Sequence, residues 1–341
     1  MEGKPNMAST SLANVVVPEV FDRYTRQQTT VKSALLNSAV LVNSVNFDAL
    51  AASESTVVTL PHFNPFAWVE SDLMNDDSAV KGGTSNVTAA AQVAQKDYRA
   101  KAWSAMELTS TVIGEDVPAY IASVAATYWT QDIQQNVLAK LKGIEVANIA
   151  NNGGDMVLNL ATDATGNATD AQSVTINTIL DACQTMGDSA DKLGVIVMHS
   201  QVFTNLMKRE PGSFQAPSAT VPFTTYYGKR VVIDDTGLVV QGTNRKTFTT
   251  YILGQGAFAY GEAQYGRGTT VVYDDHSGNN AGEEKLITRK QLLIHPQGFA
   301  CAAAITAPAK SPSLAQYSAA GAFTRVFERK NVPIAILKTN A

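Results

Sequence analysis

Two strand-like runs separated by a long aperiodic stretch constrain this chain more than any other feature. Thr56-Val57-Val58-Thr59-Leu60 reads as a strand that ends at Pro61, and a second strand-like limb runs from about 92 to 106. The 28 residues between them, 64–91, carry no helical or strand periodicity. A structureless loop of that length inside a compact domain argues against its own assignment, unless the whole hairpin projects and works outside the body. Limbs of about fifteen residues at ~3.3 Å each reach roughly 50 Å. A compact body of 341 residues has a radius of gyration of only about 20 Å. The hairpin therefore outreaches its own subunit. An isolated two-stranded ribbon is marginal in water, so the support to expect is a neighbouring copy of the chain.

The charge content points the same way. Charged residues make up 16% of the sequence, against roughly 25% in ordinary soluble domains. Spread over the ~13,000 Å² that a compact monomer of this size exposes, that is about one charge per 240 Å². Such a sparse coat predicts that much of the surface faces other protein, because interface cores are depleted in charge. Lys and Arg total 26 and Asp and Glu 30, for a net charge of −4, which leaves no bulk cationic surface for tight, sequence-independent DNA binding. Cys183 and Cys301 lie far apart and form no Cys-x-x-Cys, which suits a reducing compartment or packed thiols rather than metal ligation. Residues 1–11 lack an apolar signal core, and the apolar stretches at 39–42 and 299–305 fall well short of the ~20 residues that span a bilayer. Without a secretory route, Asn86-Val87-Thr88 and Asn167-Ala168-Thr169 read as ordinary surface.

The rest of the chain is long enough for about two domains. Pro18 opens a helical stretch with Val20, Phe21, Tyr24, Val31 and Leu35 at helical spacing, which predicts an amphipathic arm. A long helix is predicted over 117–142. Asp116 caps it, Pro118 sits in its first turn, Lys140 and Lys142 fall in its last turn, and Gly143 is suited to stop it. At 1.5 Å per residue this strut is about 39 Å long. From 155 onward strands and helices mix. Strands are predicted at 156–160, 194–198, 230–233, 251–253, 286–295 and 332–338, with helices at 175–186 and 200–208. The fold class is α+β.

The chemical motifs are weak. Gly254-Gln255-Gly256-Ala257-Phe258-Ala259 fits a loose dinucleotide fingerprint, but the residues after it favour strand and turn over the helix that must meet the pyrophosphate. Asp274-Asp275-His276 reads as a solvated turn beside Ser277-Gly278-Asn279-Asn280. Ser200, next to His199, is better placed as a helix N-cap than as a nucleophile. HExxH, GxSxG and P-loop patterns do not occur. The sequence therefore predicts no catalytic residue, no cofactor and no metal. One charge pattern stands out: Glu70, Asp72, Asp76 and Asp77 sit between the hairpin limbs, while Lys96, Arg99 and Lys101 line the returning limb, the last two on one face with Trp103. If the hairpin crosses a neighbour, these residues form an inter-subunit interface whose ion pairs set register.

Arm, long hairpin, strut helix, mixed body and returning strands, in that order, resemble the major capsid proteins of tailed bacteriophages with the Hong Kong 97-type fold. The matching stretches are Val17-Pro18-Glu19-Val20-Phe21, Thr59-Leu60-Pro61-His62-Phe63-Asn64, Arg99-Ala100-Lys101-Ala102-Trp103-Ser104, Val197-Met198-His199-Ser200, Tyr227-Gly228-Lys229-Arg230-Val231 and Glu328-Arg329-Lys330-Asn331-Val332-Pro333-Ile334. On this resemblance 1–54 is the N-arm and 55–106 the extended E-loop. The spine helix and P-domain take 107–155 with returning strands 270–310, and the A-domain and closing segments take 156–269 and 311–341. The resemblance implies a non-enzymatic shell protein that forms hexamers and pentamers of an icosahedron around double-stranded DNA. It implies a place in the virion, reached from the host cytoplasm. Partners would be further copies of the chain, DNA held without sequence specificity, and portal, scaffolding and decoration proteins, but no membrane. With only 17 residues ahead of Pro18, any scaffold would be a separate protein. Two alternatives share parts of this pattern: an encapsulin-like compartment shell and, more distantly, a cytosolic nucleotide-dependent enzyme using 254–259.

Overall fold

The computed structural model describes residues 35, 38–66, 68–74, 76, 79, 81–113, 116–215 and 224–340. Of the residues that predict the amphipathic helix only Leu35 falls within them, buried in the main core, and Asp77 lies outside them. The described residues open with β1 (Leu41–Asn43), α1 (Val45–Ala52) and the hairpin limbs β2 (Val57–Phe63) and β3 (Ala89–Met106). Two helices follow, α2 (Glu107–Ile113) and α3 (Val117–Asn151). A second region holds β4 (Val157–Asn159), α4 (Ile176–Gln184), β5 (Leu193–Met198), α5 (Ser200–Arg209) and β6 (Phe214–Gln215). It continues through β7 (Thr225–Tyr226), β8 (Lys229–Ile233), β9 (Val239–Gln241) and β10 (Lys246–Gly254). The return passes through β11 (Phe258–Ala263), β12 (Thr269–Asp274), β13 (Glu283–Pro296), β14 (Phe299–Cys301), β15 (Phe323–Arg325) and β16 (Ile334–Thr339).

Two sheets carry the fold. One has the order β4-β16-β10-β5-β8-β7-β6 with β9 on β10, and the other β1-β11-β13-β3-β2 with β12 on β13. In the first, the central strands are buried on both faces, as their near-continuous apolar sequences require. Alternate residues divide between two cores. Val195, Val197, Tyr251, Leu253, Ile334 and Ile336 join the α3 side chains Val137, Leu141 and Ile144. Ile196, Met198, Ile252, Ala335 and Leu337 pack with Ile179 and Cys183 of α4 and Val202 and Leu206 of α5.

Three local expectations are corrected here. The long helix does not stop at Gly143 but runs to Asn151. A Cβ at Gly143 would lie 2.0 Å from the Tyr317 carbonyl oxygen and 3.0 Å from the Phe323 ring, so this glycine permits close packing instead of ending the helix. The strand before the hairpin tip continues through Pro61 to Phe63. Pro61 is tolerated because β2 is an edge strand, where a missing N–H need not break a ladder. At α5 the cap is His199, whose Nδ1 accepts from the Gln201 N–H at 3.0 Å, and Ser200 is the first helical residue.

The largest correction concerns the hairpin. Only its outer part stands away from the body. β2 pairs with 89–95 of β3, while Lys96 to Met106 pair with Leu293 to Glu283 of β13. The inner half of the returning limb is therefore a paired strand of its own subunit's sheet, and among the described residues the stretch without strand pairing falls within 64–88.

Candidate functional site

The hairpin has two chemically different ends. At the inner end, successive residues of β3 point to opposite faces, and both faces are covered. Lys96 turns toward the end of α1, where its ammonium donates to the Ser53 carbonyl at 2.5 Å and hydroxyl at 2.6 Å. Asp97 turns toward α3. Its Oδ2 accepts from Lys140 Nζ at 2.9 Å and from Asn136 Nδ2 at 3.0 Å, and its Oδ1 accepts from the Tyr317 hydroxyl at 2.9 Å. Lys140 also donates to the Ile294 carbonyl at 2.8 Å and lies 4.4 Å from the Tyr317 ring centre. Asp97, Lys140 and Tyr317 are all buried. Burial first, and then the Asp97 charge, holds the Tyr317 phenol far above its ordinary range.

One step toward the tip, Gln92 Oε1 takes the Gly298 N–H at 3.1 Å and faces His295 Nε2 at 3.0 Å. Because this amide oxygen only accepts, His295 must carry its proton on Nε2. Desolvation, with the nearby Lys140 charge, pushes the His295 pKa down to about 4. Gln95 extends the seam, donating to the Ala303 carbonyl at 3.0 Å. β3 is thus tied by buried polar bonds to α3, β13 and the segment after it.

The outer end is the opposite. Phe63, Phe66, Trp68, Val69, Leu73 and Met74 are all exposed, Trp68 at 88% and Leu73 at 89%. The order of the tip comes from a few polar contacts: Asn64 meets Thr88 through backbone and side chain, and Asp72 Oδ2 accepts from Gly83 N at 3.0 Å. Free-standing proteins rarely expose so much contiguous apolar surface, and aromatic residues and Met are the types enriched at interfaces.

The structure separates the residues singled out from sequence. Glu70, Asp72 and Asp76 lie exposed at the tip. Lys96 is consumed at home, and Arg99 donates to the Pro312 carbonyl at 3.0 Å and approaches Asp97 at 3.5 Å. Lys101 is exposed 5.7 Å from the Tyr128 ring, which Trp103 meets edge-on at 5.3 Å. Missed altogether were the apolar tip residues, whose signal was the run Pro65-Phe66-Ala67-Trp68-Val69 inside an otherwise polar stretch. Also missed was the Asp97–Lys140 pair.

The other motifs resolve as structure. Residues 254–259 form the turn from β10 into β11, a strand and not a helix. His276 Nδ1 meets Asn280 Oδ1 at 3.3 Å within a turn. Among the described residues no group of three His, Cys, Asp or Glu converges as a metal site, and no helix is long and apolar enough to cross a membrane. Cys183 and Cys301 are free and buried, and desolvation raises both thiols.

A family model described as Gp13-like, Major capsid protein 13-like, matches residues 78–329. This chain belongs to that family of major capsid proteins. It is 31% identical over 300 residues to the major capsid protein of Bacillus phage SPP1, covering 86% of each chain. The capsid of Ralstonia phage GP4 superposes with a TM-score of 0.63 at 10% identity, over 98% of both chains. The cyanophage Pam1 capsid gives 0.64 at 10% identity over 99% of both. The fold is the Hong Kong 97-type capsid fold, and the protein is a shell-forming component of a phage virion.

Proposed function

We propose that this major capsid protein closes hexamers and pentamers into an icosahedral shell around double-stranded DNA, and that it performs no chemistry of its own. The observation that carries this reading is the apolar hairpin tip, which its own chain leaves uncovered while the inner half of the same hairpin is anchored by buried polar bonds. A tip that leaves its subunit to cover a different patch on the next makes a heterologous contact, the kind that closes rings. The four-part division into N-arm, E-loop, spine helix with P-domain, and A-domain belongs to this reading. So does a capsid pairing between the tip acids and the cations of a neighbour.

The modest negative charge agrees with an enclosed genome. DNA confined at high density is neutralised largely by small cations, and a strongly basic lining would retard its movement during filling. A portal protein and a separate scaffolding protein are the further partners this reading requires. Electron microscopy of the purified protein tests it, with capsomer rings or closed particles as the expected outcome. Nuclease-resistant double-stranded DNA should be recovered from native particles. A chain that stays monomeric under all assembly conditions overturns the proposal.

A further inference from the structure

β12 is an edge strand. Among the described residues it pairs with β13 alone, in an unbroken register from Thr269–Thr288 to Asp274–Glu283, and no strand lies on its other side. Native edges are usually blunted by lysine, proline or a bulge, because unpaired N–H and C=O groups template further pairing. β12 has no such device. Its run Thr269-Thr270-Val271-Val272-Tyr273 is β-branched or aromatic throughout, with no charge before Asp274. Val271, Val272 and Tyr273 are 43%, 41% and 63% exposed. Val271 also borders a hollow of about 320 Å³ that Trp103, Ile121 and Leu286 line, so a strand laid along this edge buries apolar side chains as well as backbone.

The ladder to β13 decides which backbone groups face outward. The Arg289 N–H donates to the Gly268 carbonyl at 2.7 Å, so Gly268, Thr270, Val272 and Asp274 turn their backbone toward β13. Thr269, Val271 and Tyr273 therefore turn theirs away from it. An antiparallel copy of the same strand uses all three outward residues in one register only, with Val271 facing Val271 and Thr269 facing Tyr273 on either side. A slip of one residue sets outward groups against inward ones. A slip of two brings Tyr273 against Arg267, whose carbonyl already accepts from Arg289 at 3.0 Å, or runs Thr269 past the end of the strand. The favoured register also sets exposed Arg267 of each copy beside exposed Asp275 of the other.

We infer that β12 pairs with β12 of a second copy about a two-fold axis, through the outward groups of Thr269, Val271 and Tyr273. The inference rests on the shell-forming reading and adds to it a contact between rings. Neighbours within a ring meet through two different patches, whereas a strand that pairs with itself makes an isologous contact. The self-paired edge therefore joins copies that belong to different rings. Its backbone bonds supply the attachment, and the Arg267–Asp275 pairs at both ends fix the register.

Disulfide trapping in assembled full-length chain tests it. Both native cysteines are buried, so the wild-type chain is the blank. In the inferred pair the Cα atoms of the two 271 positions lie about 5.5 Å apart, within the span that a disulfide bridges. Mild oxidation of Val271→Cys particles should give a reducible chain dimer in roughly tenfold or greater excess over Val272→Cys, whose two positions are diagonal at ~7–8 Å. Val271→Pro removes only an outward N–H and should keep the rings while lowering the yield of closed particles roughly tenfold or more. If that variant does not fold, Val271→Lys, which blunts the edge and leaves the backbone alone, decides in its place. Closed particles of Val271→Cys without the dimer, equal dimer from 271 and 272, or normal shells from the edge variants overturn the inference. A disulfide between positions 16 and 271 in Val16→Cys/Val271→Cys particles gives the edge to the N-terminal segment and discards it too. Normal shells without the 271 link leave the capsid function standing, whereas a wild-type chain that forms neither rings nor shells overturns that reading and this one together.

Discussion

The two ends of one hairpin differ in what their own subunit does for them. At the inner end, the side chains of Gln92, Lys96 and Asp97 on β3 find their hydrogen-bond partners within the chain and are buried. At the outer end, the polar contacts are few and local while the aromatic side chains stand in solvent. Folding energy is concentrated where the strand is paired, first with β2 and then with β13. On the proposed function, association energy is held where it has no such partner. A substitution should therefore affect folding or assembly according to its position along a strand only eighteen residues long and the loop that precedes it.

That contrast can be attacked from its strongest point downward. Asp97→Ala removes three buried bonds and leaves the Lys140 ammonium uncompensated, so urea unfolding should show a loss of about 3–5 kcal/mol. A loss near that expected for a surface residue would mean the anchor is not where the structure puts it. Acid is the next lever. An unfolded histidine titrates near ~6.5, whereas the folded chain holds His295 to about 4. As pH falls below the unfolded value, the unfolded chain takes up a proton that the folded chain refuses. Stability is therefore lost progressively down to the folded value, on the order of 3 kcal/mol in all. Unfolding measured at pH 7 and pH 4.5 should show most of this loss, and His295→Gln should flatten it.

Gly143→Ala forces a methyl group against the Tyr317 carbonyl and should cost about 1–3 kcal/mol or abolish the soluble fold. The smallest effect on stability is expected at the tip. Trp68→Ala should leave the unfolding midpoint of the subunit within about 0.5 kcal/mol of wild type while sharply reducing particle yield by sedimentation. A large stability loss there would dissolve the contrast between the two ends.

Much of the architecture was legible because the deciding signals are local. The 3.6-residue periodicity and Asp116 cap announce α3, and apolar runs without polar alternation announce strands buried on both faces, such as β5. What escaped has a common physical cause. Lys96, Asp97 and Lys140 are charged residues in positions where a strand or helix seen alone would face water. Their burial depends on partners 43 residues away in sequence, a separation that no periodicity reports. Gly143 was misread for the same reason: the atom that excludes a side chain belongs to Tyr317. The tip acids were read as the active feature because charge is conspicuous, although Phe66 and Trp68, just ahead of them, carry more buriable area.

The pairing of β3 with β13 also decides how the subunit responds to tension. A pull on the tip along the strand direction loads the rungs from Lys96–Leu293 to Met106–Glu283 side by side, so they must give way as a group. The outgoing limb β2 is joined to the tip at Phe63 and has a single ladder, to 89–95 of β3, so it adds no rung to β13. Under a load on the tip, the returning limb is the tether that holds the hairpin to the body.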